Sequence, residues 1–166
     1  MVGKKKIALL LCGLLGASLL VGCGGETENE KETVKKKVGI IQLIQHDALD
    51  QANKGFIDGL AEKGYKDGEN IEIEQQNASG KQDTAQQIAG QFVSSKKDLI
   101  FAIATPTAQA CYNATKDIPI VFSAVTNPVN DGLAKDWKSS GCNTTGTSDM
   151  ANIDEQLALL KEVLPN

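Results

Sequence analysis

Arginine is absent from this chain: all 17 basic residues are lysines, set against 21 acidic ones. With it goes the side chain that most often grips a carboxylate or phosphate through two parallel hydrogen bonds. Any anion bound here has to rely on backbone amides, hydroxyls or lysine. Histidine is nearly absent too, with His46 alone, and no cysteine spacing resembles a metal-ligand set. Neither a metal nor another cofactor is expected. Aromatic residues make up only 4%, so the core has to be built from Ile, Leu, Val and Ala, which suits a parallel sheet covered by helices. Three of the lysines (Lys4, Lys5, Lys6) sit in an N-terminal leader; without them 14 basic side chains face 21 acidic ones, a net charge near −7. That balance argues against nucleic acid as a partner.

What is present begins with that leader. Lys4-Lys5-Lys6 is followed by an apolar stretch from Ile7 to Val21, the two opening parts of a secretory signal peptide. The segment ends in Leu20-Val21-Gly22-Cys23, which resembles the lipobox of bacterial lipoproteins, in which the cysteine receives a lipid and becomes the new N-terminus. Residues 1–22 are therefore expected to be a signal peptide and Cys23 a lipidation site, anchoring the chain on the extracytoplasmic face of the cell membrane. The alternatives are an ordinary secretory leader or an uncleaved anchor. For the latter the run is short and diluted by Gly13, Gly16, Ala17 and Ser18. Residues 23–36 are polar and aperiodic and read as a flexible tether. Cys12 leaves with the leader, so Cys111 and Cys142 remain. An oxidising exterior leaves pairing open to them, but two cysteines do not make a framework, and two free thiols are the default expectation.

The remaining residues alternate between two periods. Residues 38–44 (VGIIQLI) form an apolar, β-branched run expected to be a buried strand, and Leu49, Ala52, Phe56, Ile57 and Leu60 then mark one face of a helix stopped by Gly64. Residues 71–74 alternate as an edge strand does. A second helix follows with Ala85, Ile88, Ala89 and Phe92 inward, ending near the run 94–97. Residues 99–104 are a buried strand that breaks at Thr105-Pro106 before a helix from Thr107; 118–122 is a fourth strand. A weak helical turn is expected over 130–137, with Trp137 packed. A short strand over 141–146 follows, then an amphipathic helix carrying Ile153, Leu157, Leu160 and Val163. The pattern predicts an α/β domain, a three-layer open parallel sheet with helices on both faces.

Open sheets of this kind bind ligands at the carboxyl ends of their strands. Three loops leave those ends: Gln45-His46-Asp47, Thr105-Pro106-Thr107 and Ser123 to Asn127. They offer one imidazole, several hydroxyls, an amide and helix N-termini, a set suited to a small polar molecule. They offer no catalytic constellation. No phosphate loop of the right form appears, no serine lies in a nucleophile elbow, and no nucleophile stands beside His46, so an enzyme is not expected. Each residue also has a plain structural role open to it. His46 can cap or lie exposed, Asp47 and Asp50 can be an N-cap and its first-turn partner, and Thr105 and Thr107 can cap the third helix. Ser123 and Thr126 can satisfy turn amides.

Over nearly all of the mature chain, VGIIQLIQHDALDQANKGFIDGLAEKGY, DLIFAIATPTAQA, IPIVFSAVTNPV and TTGTSDMANIDEQLALLKEVLPN resemble the ABC-transporter substrate-binding lipoproteins of the tryptophan/tyrosine type. The resemblance implies the periplasmic-binding-protein type I architecture, two α/β lobes around a cleft. It also implies capture of an aromatic amino acid or related small ligand for an ABC permease. Carried over, the first-lobe ligand contacts are His46, Thr105, Thr107, Ser123 and Thr126. The family usually has His-Pro at His46-Asp47 and Asp-Pro at Asn127-Pro128, so loop stiffness and local charge differ here. Its members are about twice as long. By this resemblance, residues 37–146 are the N-terminal lobe and 147–166 the hinge crossing plus the first helix of a second lobe, whose apolar face lacks its sheet. The lone lobe is then half a cleft with little affinity of its own. A single-lobe, flavodoxin-like lipoprotein acting as an enzyme or surface module is the alternative.

Overall fold

The computed structural model describes residues 35–164. The leader, Cys23 and the tether through residue 34 lie outside the described residues. Nine elements follow one another: β1 (Lys36–Gln42), α1 (Asp47–Glu62), β2 (Ile71–Asn77), α2 (Gln82–Ser94), β3 (Leu99–Ile103), α3 (Thr105–Ala114), β4 (Ile120–Val125), β5 (Thr144–Ser148) and α4 (Ile153–Val163). The strands form one sheet in the order β2-β1-β3-β4-β5, with every pair parallel. From β1 the chain moves out to β2 and then returns to place β3 on the other side of β1. The strand order therefore reverses between β1 and β3, where open α/β sheets form a crevice.

The two-residue period of the central strands splits the core into two layers. Ile41, Ile100, Ala102 and Phe122 face Ile88 and Phe92 of α2 and Ala108 and Cys111 of α3. Their neighbours Val38, Ile40, Phe101 and Ile103 face α1, whose Leu49, Ala52, Phe56 and Ile57 pack onto them. Phe56 stacks on Phe101 with ring centroids 4.0 Å apart. Burying each of these large side chains contributes roughly 1.5–3 kcal/mol, so four phenylalanine rings carry much of a core that is otherwise aliphatic. Gly39 is required by this packing, since a Cβ there would lie 2.7 Å from the buried ring of Phe92.

Several boundaries differ from the sequence expectation. β1 ends at Gln42 rather than at residue 44, because the Gln42 side-chain amide turns back and donates to the Ile44 carbonyl at 2.9 Å and to Asp50 at 2.6 Å. The helical turn expected over 130–137 is a single hydrogen-bonded turn on Asn127 and Pro128, stopped where Gly132 takes a φ of 73°. Leu133 anchors it in the core, whereas Trp137, expected to pack, is exposed. The fifth strand lies three residues later than expected, at Thr144–Ser148. The expected edge strand does lie at the sheet's edge as β2. α4 is capped by Asn152, whose side chain accepts from the Glu155 amide. Its apolar residues are all exposed.

Among the described residues one ion pair has a buried partner. Lys97 follows α2 with its side chain 3% exposed, and its Nζ lies 2.5 Å from Oε2 of Glu74 on β2. Gln76 and Gln91 donate to the other oxygen of that carboxylate at 3.1 and 3.3 Å. The hydrogen bond from Lys97, then that from Gln76, hold the Glu74 carboxyl below its ordinary range.

The two cysteines of the described residues are both free. Burial in α3 pushes the Cys111 thiol up to about 12. Burial also raises that of Cys142, but hydrogen bonds from Thr144, Tyr112 and Ser140 outweigh it and bring this thiol below its usual value. A thiol-alkylating reagent at mildly alkaline pH is therefore expected to label Cys142 in the native protein and Cys111 only after unfolding. Peptide mapping decides the matter: equal labelling, or labelling of neither before reduction, contradicts it.

Candidate functional site at the carboxyl edge of the sheet

β1, β3 and β4 are consecutive neighbours, so the loops at their carboxyl ends stand in a row spanning about 10 Å at the usual strand spacing. His46, Thr105, Ser123 and Thr126 lie along that row.

His46 is the N-cap of α1, with Nδ1 accepting the Ala48 amide at 3.2 Å. That assigns the cap to His46 and not, as the sequence suggested, to Asp47, which occupies the first turn with Asp50. Because Nδ1 is the acceptor, the proton of the neutral ring belongs on Nε2. The exposed edge of His46 is thus a hydrogen-bond donor.

α3 begins at Thr105, earlier than expected, with Pro106 in its first turn, no acidic residue there and no side-chain cap. Its first amides are without intrahelical partners and carry the positive end of the helix dipole. The residue before it, Ala104, takes φ 86° and ψ 152°, a conformation that only glycine adopts freely. Three bonds fix it: the Ala104 amide donates to the Ser123 carbonyl at 2.9 Å, and the Ala104 carbonyl accepts from the Thr107 hydroxyl at 2.7 Å and from the Ala108 amide at 3.1 Å. Here the structure corrects the expectation for Thr107. Its side chain is fully buried and its hydroxyl also lies 2.7 Å from the Ile103 carbonyl, so that hydroxyl is engaged inside the fold.

Ser123 is half-buried inside β4, and Thr126 is exposed just beyond it. Between them Ala124 takes φ 55°. A hollow of about 480 Å³ lies beside this row, between α1 and β2, lined by Gln42, Gln45, Asp50, Asn53, Gln75 and Asn77 among others. None of the five expected contacts borders it. Among the described residues no group of three or more His, Cys, Asp or Glu side chains is placed to hold a metal ion. No helix among them is long and apolar enough to cross a membrane.

Sequence reasoning missed Gln42, Ala104 and Ala124. Gln42 left a trace as the one polar residue in an apolar strand. An alanine with positive φ leaves none.

The strand order is also that of flavodoxin-like domains, so the sheet alone does not separate the two expectations. Comparison with known proteins does. Residues 37–166 match the family described as ABC transporter substrate binding protein. A "Tyrosine-binding protein" of Clostridioides difficile (strain R20291) is 52% identical over 170 residues, covering 98% of this chain and 49% of the relative. Two solved structures superpose on the lobe. The ligand-free, open form of a Clostridium difficile substrate binding protein with adhesive properties is 53% identical, with a TM-score of 0.75 over 79% of this chain and 44% of that one. A Streptococcus pneumoniae ABC domain in complex with L-Trp is 41% identical, with a TM-score of 0.76 over 80% and 44%. The chain spans about half the length of the relatives it matches. With one parallel α/β sheet and a family match over residues 37–166, this chain belongs to the ABC transporter substrate-binding proteins.

Proposed function

We propose that the chain is the first lobe of an extracytoplasmic solute-binding lipoprotein that captures an aromatic amino acid, or a close relative of one, and delivers it to an ABC permease. In this reading residues 1–22 are a signal peptide, Cys23 carries the lipid, the residues between it and β1 are the tether, and 147–166 cross the hinge and begin a second lobe. The observation that carries it is the 52% identity to a tyrosine-binding protein across 98% of this chain. The geometry is compatible in kind. The Nε2–H of His46 and the free amides of α3 are donors to a carboxylate, doing the work of the missing arginine, while Ser123 and Thr126 add hydroxyls at the next strand. Thr107 takes part through its N–H.

The test is calorimetry with L-tyrosine and L-tryptophan on two proteins: residues 24–166 alone, and the same lobe completed by the second lobe of the Clostridioides difficile relative. Micromolar binding is expected of the two-lobed protein only, because closure supplies the opposite wall. Absence of binding there overturns the ligand class. Equal binding by the lone lobe overturns the half-cleft.

A further inference from the structure

The bulged end of β4 is held from one side by a segment that has so far had no part in the site. β4 and β5 keep register through Ile120 and Thr144, Val121 and Thr145, and Phe122 and Gly146, and pairing resumes at Val125 and Ser148. Two residues of β4, Ser123 and Ala124, therefore stand opposite Thr147 alone, which is a β-bulge. Bulges re-aim the side chains next to them and are frequent beside binding sites. Here the bulge contains Ser123 and forces Ala124 to a φ of 55°, a left-handed conformation that an alanine keeps only when its surroundings impose it.

Those surroundings are the side chains of the crossing segment. The Thr147 hydroxyl donates to Oγ of Ser123 at 3.3 Å, and the Ser148 hydroxyl donates to the Thr126 carbonyl at 2.7 Å. Ser148 is itself fixed, since its Oγ accepts the Met150 amide at 3.0 Å. On the opposite side Ser123 is paired with Ile103 of β3, and the Ala104 amide donates to the Ser123 carbonyl. β5 is the outer strand of the sheet, and its residues after Thr144 are exposed. The two hydroxyls are thus the only side-chain ties between β5 and the bulge among the described residues.

We propose that Thr147 and Ser148 are positioning residues of the ligand site: through these two hydroxyl contacts the crossing segment sets the shape of the loop that carries Ser123 and Thr126. The inference rests on the reading of this edge as a ligand wall. It assigns the crossing segment a second role, since whatever moves residues 147–150 also moves the ligand loop.

Ser148→Ala, Ser148→Thr and Thr147→Val test it. Ser148→Ala in the 166-residue chain is expected to speed amide hydrogen exchange at residues 123–127 about tenfold, the scale of one lost hydrogen bond, while exchange in β1 and β3 stays unchanged. In the two-lobed protein described above it is expected to weaken L-tyrosine binding about tenfold, with Thr147→Val weaker in both effects. Ser148→Thr, which keeps the hydroxyl, restores both. Unchanged exchange at 123–127 overturns the proposal, and so does faster exchange with unaltered L-tyrosine affinity. If the parent two-lobed protein binds neither L-tyrosine nor L-tryptophan, the functional reading fails, and the exchange rates alone decide whether the hydroxyls hold the loop.

Discussion

Gly146→Ala is expected to lower the unfolding free energy by about 3 kcal/mol, the upper end of what overpacking a fitted site costs. Gly146 is exposed, and on burial alone the substitution looks harmless. Its place is fixed instead by Phe122, its partner across the β4–β5 pair. A Cβ on Gly146 would lie 2.1 Å from the Phe122 carbonyl oxygen and 2.5 Å from its ring. A side chain can swing aside, but a strand's carbonyl cannot move without disturbing the ladder. No positive φ is involved at this glycine, so the cost is steric and not torsional. Urea unfolding should show a lower midpoint with an unchanged slope, and exchange protection should fall first in β5. A change below about 0.5 kcal/mol, the ordinary scale of surface substitutions, would mean that β5 slides freely on β4.

Lys97→Met is expected to cost about 3 kcal/mol at neutral pH, the lower end for removing one member of a buried ion pair. The lower end applies because the Glu74 side chain keeps 27% of its exposure and recovers some hydration when its partner goes. The penalty is that of a stranded carboxylate, so Lys97→Met combined with Glu74→Leu should regain most of the loss, giving a large coupling in a double-mutant cycle. The pH dependence follows from the lowered carboxyl. In the unfolded chain Glu74 titrates near 4.5, and in the folded one below that. Between the two values the unfolded state binds more protons, so the pair's contribution is complete above the unfolded value and is lost as pH falls through the folded one. The gap between wild type and Lys97→Met should therefore be widest near neutrality and shrink in acid. A gap independent of pH would show that packing of the lysine stem, and not charge, is what was lost.

These two residues also mark where sequence reasoning stops. The order of elements was legible because apolar runs of four to seven residues alternate with helical faces, and because Gly64 falls where α1 must end, at a φ of 87°. The parallel, two-sided sheet followed from strands that are apolar at consecutive positions, such as Ile40 and Ile41. Lys97 was illegible for a physical reason. A lysine after Ser94-Ser95-Lys96 at a helix end looks like any solvated charge, and only the spatial neighbourhood of β2 supplies Glu74. The cap of α1 was misplaced by one residue because histidine seldom serves there and Asp47 does so readily. At the carboxyl edge, sequence pointed to loops that the sheet does bring side by side, but not to the direction of each side chain. Thr105 and Thr107 look equivalent on paper, yet two residues along a helix point to different sides, and the second of them is spent on the carbonyls of Ile103 and Ala104.

The apolar ridge of α4 sets a colloidal limit on this lobe in isolation. Ile153, Leu157, Leu160 and Val163 are each at least half exposed on one eleven-residue helix, with Leu159 and Leu164 adding to them. Contiguous apolar surface of that kind promotes association, and a net charge near −7 spread over the lobe does little to oppose contacts made at one end. The concentration at which the free lobe stays dispersed is then governed by one helix, whatever the stability of the sheet beneath it.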